Sequence, residues 1–486
     1  MKNYRVLLIN PPDTELSGFN GPPLSLLYLA GTLKKKKIQV KVIDGFFCGW
    51  KGVNEEIKKY KPTIVGVSCL TIHRFESFKV LKIAKQINPK ILTVIGGAHS
   101  TIMHTQIIDN YPYIDIVVRG EGEQVLLEIA RGESLKKIKG ITYRQDDKAV
   151  VNPPQRYVEN LDQIPFPAWE MVDLKKYPAL PSFVRFHNGI DTNIHPRISV
   201  VFTRGCPGHC NFCSTWSIWR GWRGRSGKNM ADEIELLYKK YGTRHFMFCD
   251  DCMTVRKDEV INLCNEIIKR KLKIAFTATT RTDSINLTLL KKLKEAGCYV
   301  VHYGIESASP KVLKLMDKEN TLENSEKAIA LTKKVGLKVV ALMITGAVGE
   351  TINTLNQSIR FLQKNKPDFI ITYSGLFIYP GTKVFYYLKS RGKIDDSYWL
   401  KSNPPKIYTE TFSETQLRYF RINVERRTLI NQHNKVWRSL PFLTFFYIEK
   451  FYKGNKTMKD LTMIFYPAIN RLIQTITNGN PKKVSA

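Results

Sequence analysis

The stretch Ser199-Val200-Val201-Phe202-Thr203-Arg204-Gly205-Cys206-Pro207-Gly208-His209-Cys210-Asn211-Phe212-Cys213 decides how the rest of the chain reads. A short apolar strand runs into a tight loop that carries three thiols at C-x3-C-x2-C spacing. Three thiolates can hold three corners of a cubane iron–sulfur cluster and leave its fourth iron open to a substrate or cofactor. An open coordination position serves chemistry, whereas a closed four-ligand site usually holds a fold together. The competing reading is part of a structural zinc site, with His209, Cys249 or Cys252 as fourth ligand. Zinc ribbons, however, usually carry two separated C-x2-C pairs in loops. The second pair here, Cys249 and Cys252, encloses Asp250 and Asp251 and closes an apolar run that reads as a strand. Nine cysteines make an odd number, and Met1-Lys2-Asn3-Tyr4-Arg5 leads straight into a strand with no secretory pattern. Disulfides are therefore not expected, and a reducing cytoplasm is.

The chain has 486 residues, 43% of them hydrophobic, enough for two or three domains with proper cores. Its net charge of +32 implies an anionic partner: nucleic acid, an acidic membrane surface or an anionic substrate. A lysine-rich composition can also be a genomic habit, which weakens charge as a pointer to function. No run of 18 apolar residues occurs, so no spanning helix is expected.

Working outward from the thiols, strand–helix alternation appears on both sides. In residues 1–135, Arg5–Asn10, Gln39–Ile43, Thr63–Ser68, Ile91–Ile95 and Asp115–Val118 read as short buried strands, and Leu24–Lys37 as an amphipathic helix. This pattern predicts a doubly wound, Rossmann-like α/β domain with a parallel sheet. Such sheets bind ligands outside the carboxyl ends of their strands. The loops there include Asn10-Pro11-Pro12-Asp13, Ser68-Cys69, Gly96-Gly97-Ala98-His99 and Gly120-Glu121-Gly122-Glu123. Residues 136–190 read as a linker that begins with a hairpin at Gly140 and continues through prolines 153, 154, 165 and 167. From 191 to 395 the alternation restarts, with strands expected at Ile198–Phe202, His245–Cys249, Ile274–Thr279, Tyr299–Gly304, Lys338–Ile344 and Phe369–Tyr373. Six such units predict a partial (β/α)6 barrel, whose chemistry sits at the carboxyl ends of its strands. The cysteine loop follows the first of them. Polar residues follow the others: Asp250-Asp251, Thr279-Thr280-Arg281, Glu306-Ser307 and Gly346 to Thr351. Each alone reads equally as a helix N-cap; converging on one loop, they read as a cofactor site.

The cysteine loop, with Phe212 before its last thiol, resembles the radical S-adenosylmethionine (SAM) superfamily. Gly304-Ile305-Glu306-Ser307 and Gly349-Glu350-Thr351 resemble that superfamily's later strand motifs. The first half is similar to the cobalamin-binding domain fused to one large branch of it, through Leu8-Ile9-Asn10-Pro11-Pro12, Pro22-Pro23-Leu24, Gly96-Gly97 and Gly120 to Glu123. Tyr379-Pro380-Gly381-Thr382 looks like a late element of the same branch. The resemblance implies that Cys206, Cys210 and Cys213 ligate a 4Fe–4S cluster whose open iron chelates SAM. It places Phe212 near the adenine, Asp250 at the methionine amino group, Glu306 and Ser307 at the ribose or methionine portion, and Gly346 to Glu350 along the adenosine. It implies one-electron cleavage of SAM to methionine and a 5′-deoxyadenosyl radical, with the cofactor carrying the difficult step. Cobalamin would lie near Ser68, Gly96, Gly97 and Glu121. The Asp-x-His-x-x-Gly motif that supplies a cobalt ligand in many such domains is absent, since Asp13 to Gly18 holds no histidine. His73 and His99 lie in the right loops but read better as surface or supporting residues.

From 396 to 486 the α/β rhythm stops. Thr411–Asn431 reads as a helix, and aromatic and basic residues mix in 431–486. That mixture suits peripheral contact with the inner face of a membrane or a greasy pocket, and equally a helical cap on the barrel mouth. The leading functional expectation is cobalamin-dependent methyl transfer to an inert carbon of a lipid-like or natural-product substrate. A radical oxidative cyclase or other carbon–carbon bond former on a porphyrin, hopanoid or lipid shares every motif. Modification of tRNA is suggested only by charge, and no RNA-binding module is recognisable. An electron donor such as flavodoxin or ferredoxin is implied as a partner.

Overall fold

The computed structural model describes residues 4–12, 21–179, 184–401 and 405–432. The loop Asp13 to Gly18 and residues 433–486, which carry most of the expected membrane-facing stretch, lie outside the described residues.

The first sheet has seven strands in the order β2-β1-β3-β4-β5-β6-β7. Its parallel part comprises β1 (Arg5–Asn10), β2 (Gln39–Asp44), β3 (Ile64–Ser68), β4 (Leu92–Gly96) and β5 (Ile116–Val118). Val6, Leu7, Leu8 and Ile9 are wholly buried, as expected of a central strand covered on both faces. With β2 on one flank of β1 and β3 on the other, the chain reverses direction across the sheet at this point. Open α/β sheets bind ligands in the crevice above such a reversal.

The hairpin of β6 (Ile141–Gln145) and β7 (Lys148–Val151) corrects the expected linker. It is the antiparallel edge of this sheet, with Ile116 opposite Tyr143 and Val118 opposite Ile141. Asp146 and Asp147 both take left-handed φ, 49° and 58°, the requirement of a tight two-residue hairpin turn. The proline-rich remainder is docked as well. Ala168 donates its N–H to the Leu27 carbonyl at 2.9 Å, and the buried indole of Trp169 donates to Glu233 at 3.2 Å.

A small hairpin, β8 (Phe186–His187) and β9 (Ile190–Asp191), precedes the second sheet. That sheet runs β10 (Arg197–Val200), β13 (His245–Phe248), β14 (Ala275–Thr280), β15 (Cys298–Glu306), β16 (Lys338–Thr345) and β17 (Phe369–Ser374). Every pair is parallel and joins sequence neighbours, and no pairing links β17 to β10 among the described residues. This is the expected six-unit partial barrel. Between β10 and β13, a two-stranded ribbon of β11 (Thr203–Gly205) and β12 (Trp222–Gly224) brackets the cysteine loop.

One core runs across both sheets: Leu8 and Val118 of the first share it with Val200, Phe248 and Met343 of the second. After β17 the chain returns to the first half, where Phe385 and Trp399 pack with Ile9, Val67 and Phe78. Buried Arg74 fastens this return, donating to the carbonyls of Trp399 at 2.9 Å and Lys401 at 2.6 Å. The last described helix is Glu414–Gln432, close to the expected span. Leu417, Phe420 and Val424, spaced three and four apart, are buried in the shared core. Leu417 touches the carboxyl ends of β16 and β17, so this helix caps the barrel rim. No helix among the described residues is long and apolar enough to cross a membrane.

Gly97 shows how tightly the crevice is built. Its φ is +104°, and a Cβ there would lie 2.7 Å from the Cys69 carbonyl oxygen. Gly97→Ala is expected to cost about 1–3 kcal/mol through backbone strain, read as a lowered midpoint in urea unfolding.

Candidate active site

The three thiols sit where β10 delivers its loop. Cys206 follows β11, Cys213 precedes the short helix Thr215–Trp219, and Cys210 lies on the turn between them. All three are partly buried and unpaired. Burial pushes the Cys210 and Cys213 thiols up, while the Lys318 ammonium acts in the opposite sense on both. Cys206 accepts the Gly208 N–H at 3.4 Å, and buried Cys252 lies 3.5 Å from the Thr280 hydroxyl. Cys249, another candidate for a zinc ligand, is exposed. Among the described residues no three or more His, Cys, Asp or Glu side chains are placed to hold a single metal ion. One zinc would draw its sulfurs to about 3.8 Å of each other by tetrahedral geometry. A cubane instead takes three thiolates on three separate irons.

The strand-end residues arrive as expected, but several have tasks of their own. Asp250 is buried, and its Oδ1 accepts from Phe202 N–H at 3.1 Å, Thr203 N–H, and the Thr203 hydroxyl at 2.6 Å. Its Oδ2 is buried without a partner, and burial pushes the carboxyl up to about 7. Glu350 repeats the arrangement. Its Oε2 accepts the Gly346 N–H at 2.5 Å, its Oε1 is buried and unpartnered, and burial raises it to about 7. Glu306 ends β15 in a left-handed conformation, φ 66°, beside a register shift. Its carboxylate pairs with Lys318 Nζ at 3.2 Å. Ser307 is wholly buried and accepts the Ser309 N–H at 3.2 Å, holding the turn into the helix Pro310–Leu315. Gly346 was expected along the adenosine. The space its missing side chain leaves is filled by Leu417, since a Cβ would lie 2.2 Å from that side chain. Phe212 is partly buried against the core cluster that contains Ile9, Phe385 and Trp399.

Between the two sheets lies a cavity of about 770 Å³. Its floor is the crevice of the first sheet: Asn10, Ser68, Gly96, Gly97 and Gly120 to Glu123. Its opposite wall is the cysteine ribbon and the barrel rim: Thr203, Arg204, Trp219, Cys249 and Asp251. His73 also lines it. His99 does not; it is buried against Trp399, within 3.2 Å of the Thr71 hydroxyl, and burial lowers its pKa to about 3.

Sequence reasoning missed what joins floor to wall. Arg204 Nη1 donates to Glu121 Oε1 at 2.7 Å, and its Nη2 donates to Glu123 Oε1 at 2.6 Å. Arg223, opposite Arg204 on β12, donates to both oxygens of Glu121 at 3.0 Å. Glu121 also accepts the Val158 N–H at 2.7 Å. Tyr28 and Trp219 flank the Arg204 guanidinium at 5.4 and 5.6 Å. Glu121, expected at a cofactor, lines the cavity and is also an anchor. Arg204, two residues before the first thiol, and the two glutamates of Gly-Glu-Gly-Glu were visible signals, but nothing in the sequence paired them.

Comparison with known proteins settles the family. Residues 200–362 match the radical SAM superfamily, and residues 14–130 match the B12 binding domain. An uncharacterized methyltransferase of Pyrococcus horikoshii is 32% identical over 412 residues, covering 82% of this chain and 86% of that protein. The chain belongs to the radical SAM superfamily. An anaerobic magnesium-protoporphyrin IX monomethyl ester cyclase of Rubrivivax gelatinosus is 35% identical over 382 residues, 75% of this chain and 66% of the cyclase. The cobalamin-dependent radical enzyme OxsB, solved with aqua-cobalamin, shares the fold at TM-score 0.70 and 17% identity, over 97% of this chain and 72% of OxsB. The cofactors of this radical SAM enzyme are accordingly a 4Fe–4S cluster, SAM and cobalamin. Its residues fit them. Three unpaired thiols beside Lys318 suit an anionic cluster, and two orphaned buried carboxylate oxygens suit a polar cationic ligand. The glycine-floored cavity suits a bulky flat one.

The anchor makes two predictions. Arg204→Met leaves buried Glu123 without its cation, while Glu121 keeps Arg223, and is expected to cost about 3–5 kcal/mol in unfolding free energy. Burial alone would raise the Glu123 carboxyl, but the Arg204 guanidinium outweighs it and holds the group below the usual range. Its stabilisation is then complete above the unfolded value near ~4.3 and is lost as pH falls through the lower folded value. Urea unfolding between pH 6 and pH 3 should show that loss, and Glu123→Gln should flatten it.

Proposed function

We propose that this radical SAM enzyme transfers a methyl group to an unactivated carbon of a hydrophobic, lipid-like or natural-product substrate. The carrying observation is the shared cavity: the crevice of the first sheet and the cysteine ribbon wall one chamber. Cobalamin, when bound, supplies a transferable methyl group. In this reading Cys206, Cys210 and Cys213 hold the cluster as thiolates. Asp250 and Glu350 turn their unpartnered oxygens to the SAM amino group and the adenosine side, and Phe212 packs near the adenine. Glu306, steadied by Lys318, serves the ribose or methionine portion, with Ser307 holding its turn. Ser68, Gly96 and Gly97 floor the corrin site. Glu121 and Arg204 keep floor and wall at a fixed separation, so that water is excluded from the chamber.

An apolar substrate draws support from the barrel's last strand. Tyr373 is exposed at its end, and Phe377 and Tyr379 follow with ring centroids 6.2 Å apart. Partial burial raises the Tyr373 phenol, and the Glu306 carboxylate adds to the rise. Methyl transfer draws support from the Pyrococcus relative's name. Oxidative cyclisation is the second reading, favoured by the 35% identity to the porphyrin cyclase. The tRNA reading has net charge alone behind it.

Anaerobic assay of the reconstituted full chain tests this. Methyl transfer yields 5′-deoxyadenosine and S-adenosylhomocysteine together, whereas cyclisation yields deoxyadenosine alone. Cys210→Ala should cut deoxyadenosine release by more than the roughly 10–100-fold typical of losing a ligand's outer partner. An unchanged yield from that variant defeats the cluster assignment.

A further inference from the structure

Asn211 sits between Cys210 and Phe212 and is gripped from two directions. Its side-chain amide donates to the Leu315 carbonyl at 2.6 Å, and its N–H donates to the Met316 carbonyl at 2.9 Å. Its own carbonyl accepts the Val384 N–H at 3.1 Å. The cysteine turn is thereby fastened to the end of one helix, Pro310–Leu315, and the start of another, Lys383–Ser390. Both helices show solvent the same mixture of greasy and cationic side chains. Leu315 is 41% exposed, Tyr386 55% and Tyr387 43%. Lys311, Lys314 and Lys383 are exposed beside them. Lys311 and Lys314 form no ion pair among the described residues, while Lys383 bridges to Asp317 at 2.8 Å. None of these residues lines the cavity.

Reductive cleavage of SAM consumes one electron per event, which must reach the cluster from outside the chain. Redox partners meet through small, weak interfaces, often below about 1,200 Å². Such interfaces combine an apolar or aromatic centre with a charged rim. Complementary charge sets their on-rate, and a net charge of +32 favours an acidic partner at long range. We infer that the patch of Lys311, Lys314, Leu315, Lys383, Tyr386 and Tyr387 docks a small acidic one-electron carrier protein. The carrier is oxidised by one electron and the cluster is reduced by one, with no bond made or broken. The Asn211 turn is the covalent and hydrogen-bonded link between that surface and Cys210. This rests on the cluster reading above.

The test uses the reconstituted full chain and reduced flavodoxin as probe, with cluster reduction followed by stopped-flow absorbance. Lys311→Glu combined with Lys314→Glu should slow reduction by flavodoxin at least 10-fold at low ionic strength. The difference should shrink as salt is raised, since exposed charges are screened over about 10 Å at 0.1 M. Tyr386→Ala should slow it at every salt concentration. Reduction by dithionite should stay at the wild-type rate in all variants. Unaltered flavodoxin rates in these variants overturn the inference. So does an equal slowing by Lys58→Glu with Lys59→Glu on the first sheet's helix Gly45–Tyr60, because net charge alone would then explain it. So does a variant that loses binding to anionic vesicles yet is reduced normally, because the patch would then be a lipid contact. A wild-type chain that assembles no cluster overturns the cluster reading and this one together.

Discussion

The clamp of Glu121 and Glu123 on Arg204 and Arg223 is the contact on which the active-site architecture depends. Buried charges are costly unless they are paired and hydrogen-bonded, and all four belong to one network. Together they tie the first sheet to the cysteine ribbon at three points. Hydrophobic packing across the shared core supplies most of the adhesion, but packing is non-directional and tolerates small sliding. The ion pairs fix the register, and the register fixes the height of the cavity.

Other features follow from that fixed spacing. The left-handed Gly97 lets the backbone after β4 lie against Cys69 and keeps the floor shallow. Asp250 ties the β10–β11 turn with one oxygen and leaves the other without a partner. Glu350 does the same for the turn after β16. Each carboxylate is half structural and half available. Glu306 holds a strained φ that its neighbours must enforce, a common mark of a functional position. The return of the chain through Arg74 and Trp399 locks the first sheet from its other side.

Much of this was legible in the sequence. Buried parallel strands read as apolar runs because both faces are covered, so all eleven expected strands appear within a few residues of their places. The thiol spacing exposed the cluster loop, because metal chemistry tolerates few alternative ligands. The hairpin after Gly140 was visible, but its membership of the first sheet was not: an edge pairing depends on where the neighbouring strand lies. Gly346 read as a cofactor-lining glycine, and its empty side instead receives Leu417 from 71 positions further along the chain. Glu121 read as a contact in the sheet crevice; it lines the cavity, and what the sequence did not show is that both its oxygens also bind within the protein.

The sequence by itself determined the two α/β halves, the open-cornered thiol set and the polar strand ends, because local periodicity and side-chain chemistry carry those. Tertiary structure alone decided which glutamates are anchors, which carboxylate oxygens are left over and that the two halves wall one cavity. Those outcomes depend on pairings between residues as far apart as Glu121 and Arg223, and no local pattern encodes which distant charge a buried carboxylate will meet.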